Sequence, residues 1–564
     1  MDIDHHQQSS SFSPIVYIAT FGANVVAVKI LFSLLSGYPL AIIYNCLIVN
    51  RSEVIKKLFF SGTGLALGLF NYGYDFFHTT ITIFTMYFVL KWFGGTKFSV
   101  TFAFLFNLGY LLAGYFITQI KSNEYSFEWT IPQCVLTLRL IAIAFDLYDG
   151  KRIAAKVIVD GEPIKNETPI TEAPEILELF ACCYLPFSFM VGPQFEYKKF
   201  QQFLKEKDNV LPACASQASI KLGLGLLYLI CFLAGEKYFP PSLLLSDYYK
   251  TSGFFMSFTL ITLTTKIQTC KYIGIWLLAE GSLIMSGFTF VKSNSTFRSY
   301  CNADPYLFET SPNFTGLIKA FNITTNQWSG KYVFKRLKFL GNRIISHAAT
   351  LMFLAVWHGW KSGYYVTFGM EFLIMKMEWE VMAIIKNLRQ SNKSLDNLLN
   401  QSYIRLPILI FLHIYTVYMF GYCLASFTLL TYKRWVPVLK HVYFSGHLFY
   451  ISWILISPWV HKMVLPERRS SSRSSISSSS SSSLSSTSTT SLPSSLSQSK
   501  PSEITNNLPT QQLLSDESKT NLINQICIIY YNYYNNNYIT LLISLSSLLS
   551  HPLHTYIQCK TGDN

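Results

Sequence analysis

The chain has 564 residues, half of them hydrophobic and only 13% charged, with a net charge of +14 and a mean hydropathy of +0.28. A charge content so far below the roughly 25% of a soluble domain excludes an ordinary water-soluble fold. The positive charge does not point to nucleic acid either: the cations sit in short loops, such as Lys56 with Lys57 and Lys198 with Lys199, where they fit cytoplasmic loop bias and anionic headgroups.

Taken in chain order, residues 1–20 begin MDIDHHQQSSSFSP, polar and acidic, and read as a disordered N-terminus without a cleavable signal peptide. The first apolar run then acts as an uncleaved signal anchor. Apolar stretches follow at 26–47, 58–72, 79–92, 98–120, 134–147, 176–191, 222–235, 254–265, 273–291, 347–357, 363–385, 406–432 and 436–460. A straight crossing of a bilayer needs about 20 apolar residues. Several stretches are shorter, which fits re-entrant segments or helices buried among others. The expected fold is all-α, a polytopic membrane bundle over residues 21–465 with about ten or eleven transmembrane helices. Residues 466–510 are nearly all serine and are expected to be disordered. Residues 511–564 form an Asn-, Tyr- and Ile-rich tail unlike the rest, which reads as a lineage-specific extension or read-through of non-coding sequence.

Chemistry is sparse along this chain. None of the eleven cysteines forms a CxxC pair, and Cys134, Cys231 and Cys423 lie in apolar runs as small hydrophobes. No cluster of His, Cys, Asp and Glu has metal-ligand spacing, so neither a metal nor a cofactor is expected. There is no GxSxG, no phosphate-binding P-loop, no HExxH and no GxGxxG. What remains is His358, between Trp357 and Gly359 at the end of the apolar run 348–356, with Asn322 upstream across a basic segment. An ionisable residue inside a membrane is by default a functional-site hypothesis. A neutral imidazole can take a proton from an alcohol, and an amide can orient reactants or stabilise an oxyanion. Structural readings stand beside these. His358 can serve only to hydrogen-bond a neighbouring helix, and Asn322, in an Asn-Ile-Thr sequon, can carry a glycan or cap a helix. The sequons at Asn294 and Asn313 fit lumenal glycosylation better.

Asn322 followed by Trp328 and Tyr332 (NxxxxxWxxxY), Lys335 with Arg336, and WHGxxxGY at 357–364 together resemble the membrane-bound O-acyltransferase family, in its lysophospholipid acyltransferase branch. Four further blocks resemble the same branch: GYLLAGY at 109–115, WTIPQCVLTLRLIAIAFDLYDG at 129–150, VGPQFEYKKFQQF at 191–203 and SGYYVTFGMEF at 362–372. The similarity runs from about residue 26 to 464, and the branch's lysophosphatidylcholine acyltransferases are the nearest type.

The resemblance implies a helical bundle enclosing a catalytic tunnel, with His358 as general base and Asn322 as the catalytic amide. Acyl-CoA would enter from the cytosolic side as co-substrate, and a lysophospholipid would arrive laterally from the membrane lipids. His358 would deprotonate the glycerol 2-hydroxyl, which attacks the thioester. The implied acceptor is lysophosphatidylcholine, with lysophosphatidylethanolamine and lysophosphatidylserine secondary, and the acyl chain is polyunsaturated. The implied location is the endoplasmic reticulum membrane, multi-pass. Nucleic acid is not among the partners, and a homo-oligomer is one state the sequence permits. Trp328, Tyr332, Lys335, Arg336, Trp357 and Gln194 are the further residues expected near substrates. For each, a packing or surface role is the alternative: Trp328 and Tyr332 share one helical face, and the cations suit either CoA phosphates or a headgroup-facing edge. Gly359 and Gly363 are expected to permit close helix contact, and Asp146 and Asp149 to be structural. Trp360 departs from the family in its bulk and would narrow a tunnel. The rival readings are another acceptor, such as lysophosphatidylinositol, a neutral lipid or a protein, and a non-catalytic lipid transporter or scaffold. A transporter would favour paired broken helices in two related halves, and the sequence contains no such repeat.

Overall fold

The structure, a computed structural model, describes residues 25–121, 128–160 and 170–464 apart from 294, 298 and 299. All of these belong to the first of two units of the chain, residues 1–470. The expected N-terminal segment 1–20, the serine-rich segment 466–510 and the tail 511–564 lie outside the described residues.

The described residues contain nineteen α-helices and one short hairpin, joined by loops and short 3₁₀ and π segments. In chain order they are α1 (Val25–Ile43, continued by a π-turn at Tyr44–Ile48), α2 (Glu53–Tyr72), α3 (Phe77–Phe93), α4 (Lys97–Lys121) and α5 (Thr130–Asp160). Then come α6 (Ile176–Cys183), α7 (Tyr197–Lys205), α8 (Leu211–Tyr238), α9 (Asp247–Thr251) and α10 (Phe254–Met285). Strands β1 (Phe290–Val291) and β2 (Thr296–Phe297) pair antiparallel. After them lie α11 (Pro305–Thr310), α12 (Phe314–Ala320), α13 (Ile323–Tyr332), a 3₁₀ segment Phe334–Leu340 and α14 (Arg343–His358). The last are α15 (Ser362–Ser391), α16 (Lys393–Asn400), α17 (Ser402–Leu429), α18 (Tyr432–His441) and α19 (Ser445–Val464).

Among the described residues five helices are both long and apolar enough to cross a membrane: Val25–Ile48, Lys97–Ile120, Thr130–Ala155, Leu211–Leu245 and Ser402–Leu429. The expectation of ten or eleven includes helices of sufficient length with more polar sequences. At 32 and 30 residues, α10 and α15 are examples, carrying Lys266, Lys271 and Glu280, and Glu371, Lys376, Glu378 and Glu380 respectively. The spans differ in surroundings. The apolar window of α5 is 83% buried against protein, that of α8 only 11%, so α5 is interior while α8 turns side chains such as Ile230 and Leu233 outward.

Four stretches fold differently from their apolar pattern. Residues 254–265 and 273–291 are not two segments, because the polar run between them stays helical within α10. Threonines along α10 return their hydroxyls to their own helix, Thr262 to the Phe258 carbonyl at 2.9 Å and Thr265 to that of Ile261 at 2.8 Å. Such back-bonding removes the cost of unpaired donors in an apolar setting. The stretch 176–191 yields only the eight residues of α6, since Pro186 and Pro193 cannot continue a helix. Carbonyls released beyond it are taken by Arg139 of α5, which donates to Cys182 O at 2.9 Å and Pro193 O at 3.4 Å and to Ser188 Oγ at 3.2 Å, with its guanidinium 4.2 Å from the Phe195 ring centroid. The stretch 436–460 is divided between α18 and α19 by Tyr443 and Phe444, both in left-handed backbone.

Helix α10 is the spine of the membrane body: α8, α17 and α1 all pack along it. Helix α15 lies between α14 and α17, bringing the end of α14 beside the middle of α10 and the start of α13.

Candidate active site

Local sequence fixes where His358 sits. Asn342 starts α14, its side-chain oxygen accepting the backbone N–H groups of Ile344 and Ile345 at 2.9 and 3.2 Å. Sixteen residues later the helix ends on His358, because Gly359 takes φ +114°, a conformation open to glycine and strained for other residues. A β-carbon at Gly359 would also lie 3.1 Å from the Tyr115 ring. Gly363 then allows α15 against α17: its N–H donates to Leu430 O at 2.7 Å, and a β-carbon there would sit 2.0 Å from Ser426 O.

Asn322 is placed by a different device. Ala303 and Phe321 form an antiparallel bridge, Asp304 N–H donates to Ala320 O at 2.9 Å, and Ile323 N–H donates to Asn302 O at 3.1 Å. Between these pins Asn322 adopts left-handed backbone, φ +52° and ψ +43°, which asparagine tolerates better than most residues. It occupies the N-cap position of α13, yet its side chain makes no capping hydrogen bond. The capping reading is therefore not realised, whereas Asn313 does cap α12, accepting from Gly316 N–H at 2.7 Å.

The two residues, distant in sequence, line one cavity of about 150 Å³. Its walls come from α10 through Thr265, Gln268, Tyr272 and Trp276, from α15 through Thr367, Phe368 and Glu371, and from α17 through Phe420, Cys423 and Phe427. The His358 imidazole is held by rings: Phe368 stacks on it at 5.5 Å, with Tyr364 at 5.3 Å and Phe427 at 5.2 Å between centroids. Among the described residues no side chain or carbonyl hydrogen-bonds its nitrogens, and none engages the Asn322 amide. An imidazole and a carboxamide thus face one aromatic-walled space with their hydrogen-bonding capacity unspent. Such a pair can act as base and donor toward a molecule entering that space.

The other residues expected near substrates are not among the cavity's lining, and their polar atoms are mostly engaged within the protein. Trp328 Nε1 donates to Leu138 O at 2.9 Å, Trp357 Nε1 to Cys134 O at 3.2 Å, and the Gln194 amide to Val135 O at 2.9 Å. Tyr332 donates its hydroxyl to Asp146 at 2.9 Å, joined there by Lys331 at 3.1 Å. Arg336 forms a two-pronged pair with Asp149. These bonds lock α13 and the 3₁₀ segment to α5. Lys335 alone of the set is exposed and without a partner among the described residues. Trp360 does not line the cavity either; it is exposed, and its indole donates to Leu112 O at 3.0 Å.

Two contributions escaped sequence reading. The polar run of α10 supplies Thr265, Gln268 and Thr269 to the cavity, and its signal was a cluster of hydroxyls and amides within an apolar stretch. Glu371 is the second. Of the acids along α15, Glu378 accepts Phe314 N–H at 2.6 Å and Thr315 N–H at 3.0 Å at the start of α12, and Glu380 pairs with Lys376 and accepts the Trp453 indole N–H at 2.8 Å. The Glu371 carboxyl faces the cavity with neither hydrogen bond nor ion pair among the described residues. Its signal was a lone acid within apolar sequence.

Residues 112–421 match the membrane-bound O-acyltransferase family. The chain is 34% identical over 461 residues to lysophospholipid acyltransferase 5 of Mus musculus, covering 80% of this chain and 92% of the mouse protein. It is 37% identical over 439 residues to the protein of that name in Drosophila melanogaster, covering 77% and 87%. A lysophospholipid acyltransferase of Schizosaccharomyces pombe is 27% identical over 379 residues, covering 63% and 72%.

Proposed function

The chain belongs to the membrane-bound O-acyltransferase family, and from that premise we propose that it is an acyl-CoA-dependent lysophospholipid acyltransferase whose reaction is run by His358 and Asn322. The observation that carries the proposal is the shared cavity, in which both side chains present unspent hydrogen-bonding groups. His358 Nδ1 or Nε2 takes the proton of the sn-2 hydroxyl as that oxygen attacks the thioester carbonyl. The Asn322 amide donates to the carbonyl oxygen as it gains negative charge. The C–S bond breaks, the new ester C–O bond forms, and the imidazolium returns its proton to the CoA thiolate. No covalent acyl-enzyme and no cofactor are needed, since acyl-CoA is a co-substrate. Aromatic walls keep water from the thioester and favour ester formation over hydrolysis.

Lysophosphatidylcholine is the first acceptor in this proposal, with lysophosphatidylethanolamine and lysophosphatidylserine following, a polyunsaturated acyl group as donor, and the endoplasmic reticulum as the membrane. The names of the relatives support a lysophospholipid as acceptor. Lys335, an exposed cation of the segment after α13 without a partner among the described residues, is the proposed contact for a CoA phosphate. The test is acyl transfer in microsomes expressing the chain, with arachidonoyl-CoA and a panel of lysophospholipids, beside His358→Ala at matched expression. Transfer led by lysophosphatidylcholine and lost in the variant supports the proposal. Equal transfer by both proteins, or none by either, overturns it.

A further inference from the structure

The cavity holds one feature that the acyl-transfer chemistry leaves unused: a carboxyl without a counter-charge among the described residues, in a space also lined by a succession of aromatic rings. Those rings follow one another, Phe427 to Tyr272 at 6.5 Å, Tyr272 to Trp276 at 6.1 Å, Trp276 to Phe321 at 4.9 Å and Phe321 to Phe420 at 6.2 Å between centroids. All five line the cavity, as does Glu371 from α15. No lysine or arginine is among the lining residues. A carboxylate in such surroundings is costly unless a cation meets it, and aromatic faces arranged about a space are the surface that attracts an alkylated ammonium.

We propose that Glu371 and the Tyr272–Trp276–Phe321 wall form the subsite for the cationic headgroup of the acceptor, an ammonium or trimethylammonium group. This deepens the acyltransfer reading and rests on it for the identity of the acceptor. The distances suit it. Phe368 stacks on His358, and Glu371 lies three residues further along α15, about 4.5 Å of axial rise. A lysophospholipid with its sn-2 hydroxyl at His358 carries its headgroup nitrogen beyond a phosphodiester, more than far enough to reach past that turn. The carboxylate supplies charge, and the rings supply polarisable faces that suit three methyl groups better than three N–H bonds. The subsite therefore disfavours acceptors whose headgroup carries no cation.

The experiment uses the full chain in lipid nanodiscs, with Glu371→Gln, which keeps the shape and removes the charge. Because the carboxyl has no partner to lose among the described residues, this variant is expected to fold. The ratio of kcat/KM for lysophosphatidylcholine to that for lysophosphatidylglycerol is expected to fall on the order of tenfold, through KM for lysophosphatidylcholine, with Glu371→Asp recovering part of it. Trp276→Leu should penalise lysophosphatidylcholine more than lysophosphatidylethanolamine. A ratio unchanged from wild type, or an equal loss on both acceptors, overturns the subsite. Equilibrium binding of fluorescent lysophosphatidylcholine to His358→Ala protein, with and without Glu371→Gln, separates the two proposals. Glu371-dependent binding with no transfer by the wild-type chain would sink the acyltransfer reading and keep the subsite, while wild-type turnover with Glu371-independent binding would do the reverse.

Discussion

Replacing Gly363 by alanine sets a methyl carbon 2.0 Å from Ser426 O and 2.8 Å from Leu430 O. The second of these carbonyls already accepts the Gly363 N–H at 2.7 Å. Ordinary contact needs more than a further 1 Å, roughly, so α15 and α17 must part by about that much, and a close-packed interior has no slack to absorb it. Overpacking of this kind together with a stretched buried hydrogen bond costs about 2–4 kcal/mol. The same displacement reaches the cavity, because Phe368 and Glu371 stand on α15 while Cys423 and Phe427 stand on α17. His358 touches rings from both helices, Phe368 and Phe427, so the imidazole is re-aimed as they separate. A misplacement near 1 Å in a catalytic constellation costs on the order of 100-fold in rate. Thermal unfolding in detergent and acyl-transfer rates in nanodiscs, measured on the same preparation, give the two effects. Wild-type stability with wild-type turnover in Gly363→Ala would refute the reasoning, as would a rate loss without any loss of stability.

Asn322→Gly relieves the left-handed backbone and deletes only the amide; it should lower kcat on the order of 100-fold with unchanged unfolding temperature, and a wild-type rate would remove Asn322 from the chemistry. Tyr332→Phe takes one donor from the buried Asp146 and should cost about 1–3 kcal/mol in thermal unfolding, with KM for acyl-CoA unmoved. Lys335→Ala should raise KM for acyl-CoA a few-fold, an effect that fades at high salt. Arg139→Lys should fail to restore stability lost in Arg139→Met. A compact ammonium cannot span the Cys182, Ser188 and Pro193 oxygens that the planar guanidinium reaches at once, and full recovery by lysine would show that charge alone matters there.

Much of this architecture was legible from residues alone, and the particular failures have a common cause. Apolar runs announced the helical membrane body because burial in lipid demands them locally. His358 and Asn322 stood out because polar groups at such places are costly to keep. Trp328, Tyr332, Arg336 and Gln194 were legible as important but not as ties to α5, since Leu138, Asp146, Asp149 and Val135 lie far from them along the chain. The run within α10 looked like a break between two segments; threonine back-bonding, a property of the folded helix, makes it the polar wall of the cavity.

What the sequence determined by itself is therefore the class of environment and the chemically unusual groups. Hydropathy and rarity are carried by each residue without reference to its neighbours. Partnership was decided only in three dimensions. Of the acids along α15, Glu378 and Glu380 find donors and, among the described residues, Glu371 finds none; the run GMEFLIMKMEWE shows that Glu371 stands alone in apolar sequence, not which donors each acid meets. Which carboxyl remains free depends on where α12, α17 and α19 pass, because hydrogen bonds and counter-charges come from segments the tertiary fold brings near.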